Sequence, residues 1–154
     1  MKSDEPFSNL IRFWKRDPNL APSFVFEQVR EPRSATISPI PDGVPGTIQQ
    51  LLVRSGIISL YSHQAEAWES VQDGRNTVIV TGTSSGKTLC YNLPVFSQLT
   101  TDKNSRALYI FPTKALAQDQ HKVLEQWQAI LDESDRFGCG IYDGDTPNQY
   151  RQDL

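Results

Sequence analysis

Cysteine is scarce in this chain. Cys90 and Cys139 are its only two, they stand far apart, and neither forms a CxxC pair or a ligand spacing with the two histidines, His63 and His121. That excludes a disulfide framework and a zinc-finger-type site. Both thiols read as buried and reduced, which fits a cytoplasmic protein. Long hydrophobic runs are also missing: no stretch approaches the ~18 apolar residues of a membrane span. The N-terminal MKSDEPFSNL carries two acids and no apolar core, so it does not read as a signal peptide. Nor is positive charge in excess. Lys+Arg number 15 against 18 Asp+Glu, a net charge of -3, so a broad basic surface is excluded and any nucleic-acid contact must be local. Internal repeats and low-complexity tracts are lacking as well. With 38% apolar and 21% charged residues in 154, what remains is the balance of a folded domain with one core.

The chain changes character along its length. Residues 4–16 predict a short amphipathic helix, with Phe7, Leu10, Ile11 and Trp14 on one stripe. Six of the ten prolines fall between Pro18 and Pro45, which excludes a long helix there and leaves an extended arm with one strand over Phe24–Val29. We therefore divide the chain into an N-terminal helix and proline-rich arm, 1–46, and a domain segment, 47–154. Ile48, Leu51 and Leu52 mark a helix stopped by Gly56, and Ala65, Trp68 and Val71 another stopped at Gly74. From there strands and helices alternate. Thr77–Thr81, Arg106–Phe111 and the weaker Gly138–Tyr142 read as strands, while Lys87–Thr100 and Thr113–Leu131 read as helices. This pattern predicts an α/β fold with a parallel sheet flanked by helices and ligand at the carboxyl ends of the strands. Trp68 and Trp127 fall on core-facing helix positions, Pro94 implies a kink, and a last helix is expected from Pro147 onward.

Between the first strand and its helix lies Thr81-Gly-Thr-Ser-Ser-Gly-Lys-Thr88. Consecutive backbone N–H groups in such a loop can curl around phosphates at a helix N-terminus. Thr81, Gly82, Thr83, Ser84 and Ser85 supply the curl, and Gly86 lets the backbone approach closely. The Lys87 ammonium can reach the β- and γ-phosphates, and the Thr88 hydroxyl can ligate Mg²⁺. The strict pattern GxxxxGKS/T asks for Gly at position 81, where this chain has Thr. The strand before the loop and the helix after it supply the context the motif requires. A flexible Ser/Gly turn that happens to contain GKT is the plainer alternative.

Three segments in order, Leu60-Tyr-Ser-His-Gln64, then TGTSSGKTLCYNLPV over Thr81–Val95, then Phe111-Pro-Thr-Lys-Ala-Leu-Ala-Gln118, resemble the Q motif, motif I and motif Ia of superfamily 2 DEAD/DEAH-box helicases. The resemblance covers about residues 45–150, and its wording is similar to that of the MrfA-type bacterial DNA helicases and their fungal relatives. It implies an incomplete RecA-like first motor lobe that binds ATP with Mg²⁺. It makes Gln64 the reader of adenine, whose N7 accepts and N6 donates where an amide can donate and accept at once. Without its neighbours Gln64 would read as a capping residue. Tyr61 either packs near the base or is a core-edge aromatic. Thr113 and Lys114 are implied to contact a nucleic-acid backbone, DNA before RNA, with Thr113 also able to cap its helix. Tyr142-Asp-Gly-Asp-Thr146, with Gly144 and Asp145, resembles the next backbone-contact loop.

Departures set the limits of the expectation. Related loops commonly carry Ala at 81 and Gly at 84, where this chain has Thr81 and Ser84. The family's Asp-Glu-x-His does not occur in these 154 residues, and Asp143 does not replace it, because only Ile141 and Tyr142 precede it as apolar residues and no Glu follows. The second lobe with its arginine finger is not encoded either. A segment of an ATP-dependent helicase that is inactive alone is therefore expected. Two rivals remain: a small P-loop kinase, which needs a cluster of arginines where Arg106, Arg136 and Arg151 are scattered, and a non-enzymatic remnant whose P-loop is only structural. His63 and His121 read as surface or capping residues.

Overall fold

The computed structural model describes residues 8–28, 34–83, 85–149 and 151, and the chain divides into two compact units, Met1–Ser34 and Ala35–Leu154. In the first, helix α1 spans Ser8–Arg16 and places Lys15 and Arg16 in its last turn, where they offset the negative end of the helix dipole. Lys15 pairs with Glu27, and one 3₁₀ turn, Ala21–Ser23, begins with Pro22 in its first turn. Residues 4–7 of the expected helix and Val29 of the expected strand lie outside the described residues. Residues 24–28 form no strand: Val25 is 92% exposed, and with neither a ladder partner nor a covering face an extended run stays irregular.

The second unit is built around helices. Residues 35–45, read with the arm from the sequence, belong to it, and Val44 is buried in its core. Helix α2, Gly46–Arg54, buries Ile48, Leu51 and Leu52 at i, i+3 and i+4 spacing, and the chain then reverses at Gly56, where φ is +78°. Strand β1, Ile37–Ser38, pairs antiparallel with β2, Leu60–Tyr61, in the register Ile37↔Tyr61 and Ser38↔Leu60. Helix α3, Ser62–Gln72, follows at once and buries Ala65, Ala67 and Trp68. Helix α4, Lys87–Thr101, buries Leu89, Leu93 and Phe96 and continues through Pro94. Helix α5, Lys114–Ile130, meets the core through Leu124 and the partly buried Trp127. Phe96 lies at the centre, edge-on to Trp127 at 5.1 Å and to Phe137 at 4.8 Å. Arg54 Nη1 donates to the Ile130 carbonyl at 3.1 Å, joining α2 to the end of α5, and Tyr91 Oη donates to Gln120 Oε1 at 3.0 Å, joining α4 to α5. No helix of the described residues is long and apolar enough to cross a membrane.

The sheet differs from the one the sequence predicts. Thr77–Thr81, Arg106–Phe111 and Gly138–Tyr142 carry no strand, and among the described residues no backbone hydrogen bond joins them. The only sheet there is the antiparallel β1–β2 pair. The runs nevertheless keep a strand's alternation: Val78 and Val80 are exposed on either side of the half-buried Ile79, as are Leu108 and Ile110 around Tyr109. Tyr109 also donates its hydroxyl to Asn92 Oδ1 on α4 at 3.0 Å. Tyr109 thus packs its run on the helical core, while the alternate residues of both runs are bare. The expected helix after Pro147 is a turn over its described residues, closed by Arg151 N–H donating to the Asn148 carbonyl.

Candidate functional site

Gly86 organises the loop that precedes α4. Its φ of +74° is the left-handed conformation that lets the chain turn from the loop into the helix, and a Cβ there would lie 2.6 Å from Gln64 Nε2. Only glycine fits both conditions. The Lys87 ammonium folds back into the loop and donates to the carbonyls of Thr81, at 3.1 Å, and Gly82, and to Ser85 Oγ at 3.3 Å. Thr81 Oγ1 and Ser85 Oγ share a hydrogen bond of 2.7 Å that closes the turn. Gly82 and Thr83 are exposed and Thr88 is half-buried on the first turn of α4; Ser84 lies outside the described residues.

The N-terminus of α3 grips this loop. Gln64 is buried; its Oε1 accepts from the Tyr61 backbone N–H at 2.8 Å, and its Nε2 donates to the Gly86 carbonyl at 2.9 Å. The capping role open to a lone Gln is thus real, and the same amide ties the helix to the phosphate loop. An amide oxygen has two lone pairs and an amide nitrogen two hydrogens, so one of each is left for a ligand. Next to it His63 Nε2 lies 2.9 Å from the Ser85 carbonyl, and its ring stacks on Tyr61 at 5.7 Å and 12°. The surface or capping role expected of His63 is corrected by that contact. Histidine has no motif to announce it, and the only signal was its place beside Gln64.

A second cluster forms at the start of α5. Thr113 Oγ1 accepts from the Leu116 N–H at 3.3 Å, the helix cap its sequence position predicts. Lys114 Nζ pairs with the Asp145 carboxylate, and this bond, before the nearby Asp143 charge, raises the lysine above its ordinary range. Gly144 brings its backbone close to the same ammonium: a Cβ there would lie 3.8 Å from Nζ. The 142–146 turn is fixed by Thr146 Oγ1, which accepts from Asp143 N–H at 2.9 Å and donates to the Ile141 carbonyl at 3.1 Å. Lys114, at the start of α5, therefore meets Gly144 and Asp145 of this turn. The carboxylate on the lysine was not foreseen, because nothing in the spacing aligns residues so far apart.

Of the two cysteines expected to be buried, one is and one is not. Cys90 is buried on α4, but Cys139 is exposed, accepting from Gln128 Nε2 at 3.2 Å with His121 Nε2 at 3.6 Å from its sulfur. Partial burial raises both thiols above their ordinary range.

Comparison with known proteins places this geometry. The family model described as DEAD/DEAH box helicase matches residues 61–154. The ATP-dependent helicase YprA of Bacillus subtilis is 48% identical over 126 residues, which cover 79% of this chain and 16% of that protein. Two crystal structures of the helicase MrfA, one bound to DNA and one to DNA and AMPPNP, superpose with TM-scores of 0.75 and 0.74 at 45% identity. Each match covers 80% of this chain and 17% of the MrfA chain. The chain thus spans about a sixth of the length of these relatives, and with them it shares a helicase-like α/β fold.

Proposed function

The chain belongs to the DEAD/DEAH box helicase family, and from that premise we propose that it binds an adenine nucleotide with Mg²⁺ on the Thr81–Thr88 loop and a DNA strand at Thr113, Lys114 and Gly144. One observation carries the reading. The Lys87 ammonium sits inside a loop whose Gly86 has no room for a side chain, and it is held there by neutral oxygens. Phosphate oxygens are stronger acceptors for an ammonium than carbonyls or a hydroxyl, so nucleotide can take over those bonds. The residues present therefore fit a triphosphate. Thr88, on the first turn of α4, is the residue that would hold the metal, which when bound supplies charge neutralisation at the β- and γ-phosphates. Gln64 uses its remaining N–H and lone pair on N7 and N6 of adenine, and Tyr61 flanks the base.

DNA is chosen because the MrfA neighbour is a DNA complex. Lys114 positions a backbone phosphate without reading sequence, and its helix N-terminus adds free N–H groups. Asp145 contributes its turn, while its carboxylate holds the lysine until a phosphate displaces it. The extended runs at 77–81, 106–111 and 138–142 are read as segments that would pair into the parallel sheet of a complete RecA-like lobe. Residues 47–154 make up the lobe segment and 1–46 its arm, of which 35–45 fold with the segment. In the parent, nucleotide-driven closure of two lobes would move DNA; this chain alone supplies binding without turnover.

Titration calorimetry tests the reading. Mg-ATP should bind the native chain weakly, and Lys87→Ala should lose ~1.5–3 kcal/mol, the worth of hydrogen bonds to a charged group. Unchanged affinity in that variant would remove the loop from the site. ATP should also bind more tightly than GTP, because guanine keeps the N7 acceptor but offers the O6 acceptor where adenine has its N6 donor, leaving the Gln64 amide oxygen without a hydrogen.

A further inference from the structure

Two adjacent side chains of α3 hold two adjacent carbonyls of the phosphate loop, and only one of the two belongs to a motif the sequence singled out. His63 faces the Ser85 carbonyl at 2.9 Å and Gln64 the Gly86 carbonyl at 2.9 Å. A trans peptide unit is planar, with its C=O and N–H pointing in opposite directions, and among the described residues no peptide bond is cis. When the Ser85 oxygen is drawn toward α3, the N–H of Gly86 must point away from α3. When the Gly86 oxygen is drawn the same way, so must the N–H of Lys87. Among the described residues neither N–H has a backbone acceptor. Both are free donors presented side by side at the loop, beside the Lys87 ammonium.

We propose that His63 is a positioning residue for nucleotide phosphate: its Nε2–H holds the Ser85 carbonyl and thereby aims the Gly86 N–H into the cradle. The proposal rests on the reading of Thr81–Thr88 as a phosphate loop. A carbonyl oxygen only accepts, so Nε2 carries the hydrogen. The stack against Tyr61, nearly parallel at 12°, fixes the plane of the ring, and the bond to the Ser85 carbonyl selects the edge that faces the loop. The Gly86 carbonyl is held by Gln64 and also by the Leu89 N–H of α4 at 3.1 Å, so the plane that His63 adds is the one before it, at Ser85. Donors already aimed at a developing contact need not be reordered when the ligand arrives, which is where such a grip raises affinity.

The experiment uses the full chain with three variants: His63→Ala, His63→Phe, which keeps the stack but has no donor, and His63→Gln, which returns an N–H donor. Long-range ¹H–¹⁵N spectra of the imidazole should show hydrogen on Nε2 of His63; a ring protonated on Nδ1 alone overturns the proposal. In the nucleotide-free chain, ¹⁵N relaxation should show Gly86 and Lys87 losing order in His63→Phe and regaining it in His63→Gln. Equal order in native and His63→Phe overturns it, and because this arm needs no ligand it stands if His63→Ala fails to fold. With ligand, His63→Phe should weaken Mg-ADP roughly fivefold, the loss of one ordinary hydrogen bond, and leave adenosine binding unchanged. An equal loss for adenosine would assign His63 to the base and overturn the proposal. If Lys87→Ala binds Mg-ADP as the native chain does, the phosphate-loop reading fails, while the two ligand-free arms still decide whether His63 holds the loop.

Discussion

At residue scale the decisive position is Gly86, where backbone conformation and space make the same demand. Gly86→Ala would place a side chain in the left-handed region, at ~1–2 kcal/mol, and would force Gln64 off the carbonyl it holds. We expect a melting temperature lower by several degrees, in line with ~2–4 °C per kcal/mol for a chain of this size, together with loss of Mg-nucleotide binding. A thermal scan with calorimetry on the same variant checks both, and full binding would show that the cradle tolerates a Cβ. Charge decides the second cluster. Asp145→Asn removes the carboxylate that competes with phosphate for Lys114, so single-stranded DNA should bind more tightly; Lys114→Ala should bind more weakly, its log–log salt slope shallower by about one. Fluorescence anisotropy across a salt series reads both, and weaker binding by Asp145→Asn would show that the carboxylate serves the contact instead. Cys139 is exposed and Cys90 buried, so native alkylation should label Cys139 first. Its raised thiol should react more slowly at neutral pH than free cysteine, since less thiolate is present; mass spectrometry of the labelled chain tests that order. Lys87, Thr113 and Lys114 were legible in the sequence because each sits at a fixed offset in a motif. His63 was not, because its role depends on which carbonyl folding brings to it.

At the scale of elements, helices were legible and strands were not, for reasons that lie in where each finds its hydrogen bonds. A helix carries its partners within a few residues, so Ile48, Leu51 and Leu52 with a stop at Gly56 suffice to locate α2. A strand's partners lie on other elements. Val78 and Val80 alternate with Ile79 as a strand should, yet a ladder needs a neighbour that periodicity does not supply. The two-residue strands β1 and β2 leave no periodic signal at all, so their pairing was not expected. Hydrogen exchange should separate the two kinds of segment. Amides of α3 and α4, bonded within helices that bury Trp68, Leu93 and Phe96, should exchange slowly, whereas amides at 77–81 and 106–111 should exchange near the rate of an open chain. Strong protection at Val78–Val80 would mean that a ladder forms in solution. Capping gives a local check on α5. Thr113→Ala removes the oxygen that accepts from Leu116 N–H and should lower stability by about 1 kcal/mol, with Thr113→Ser close to native.

At the scale of the whole molecule, the residues proposed to hold a nucleotide and those that hydrolysis would need are separable. Binding needs a cradle, a cation and a grip on the base, and Gly86, Lys87 and Gln64 lie together in one unit. Turnover needs a carboxylate to orient water and metal and a cation on the far side of the γ-phosphate, where an arginine finger can contribute ~10³–10⁵ in rate. No Asp-Glu-x-His occurs in residues 1–154. Asp143 is committed to its own turn, accepting from Asp145 N–H at 2.8 Å. The arginines after the loop are engaged locally: Arg106 donates to the carbonyls of Lys103 and Ser105, Arg136 to that of Leu131, and Arg151 to that of Thr146 while lying over the Tyr142 ring. None of them gathers into the cluster that a nucleotide kinase would need. This chain by itself should therefore release no phosphate from ATP above the rate of its Lys87→Ala variant, with or without single-stranded DNA. A steady-state phosphate assay with that variant as the blank makes the comparison. DNA-stimulated release that disappears with Lys87 would place the hydrolytic carboxylate among the acids of 143–145 and make this segment an enzyme in its own right.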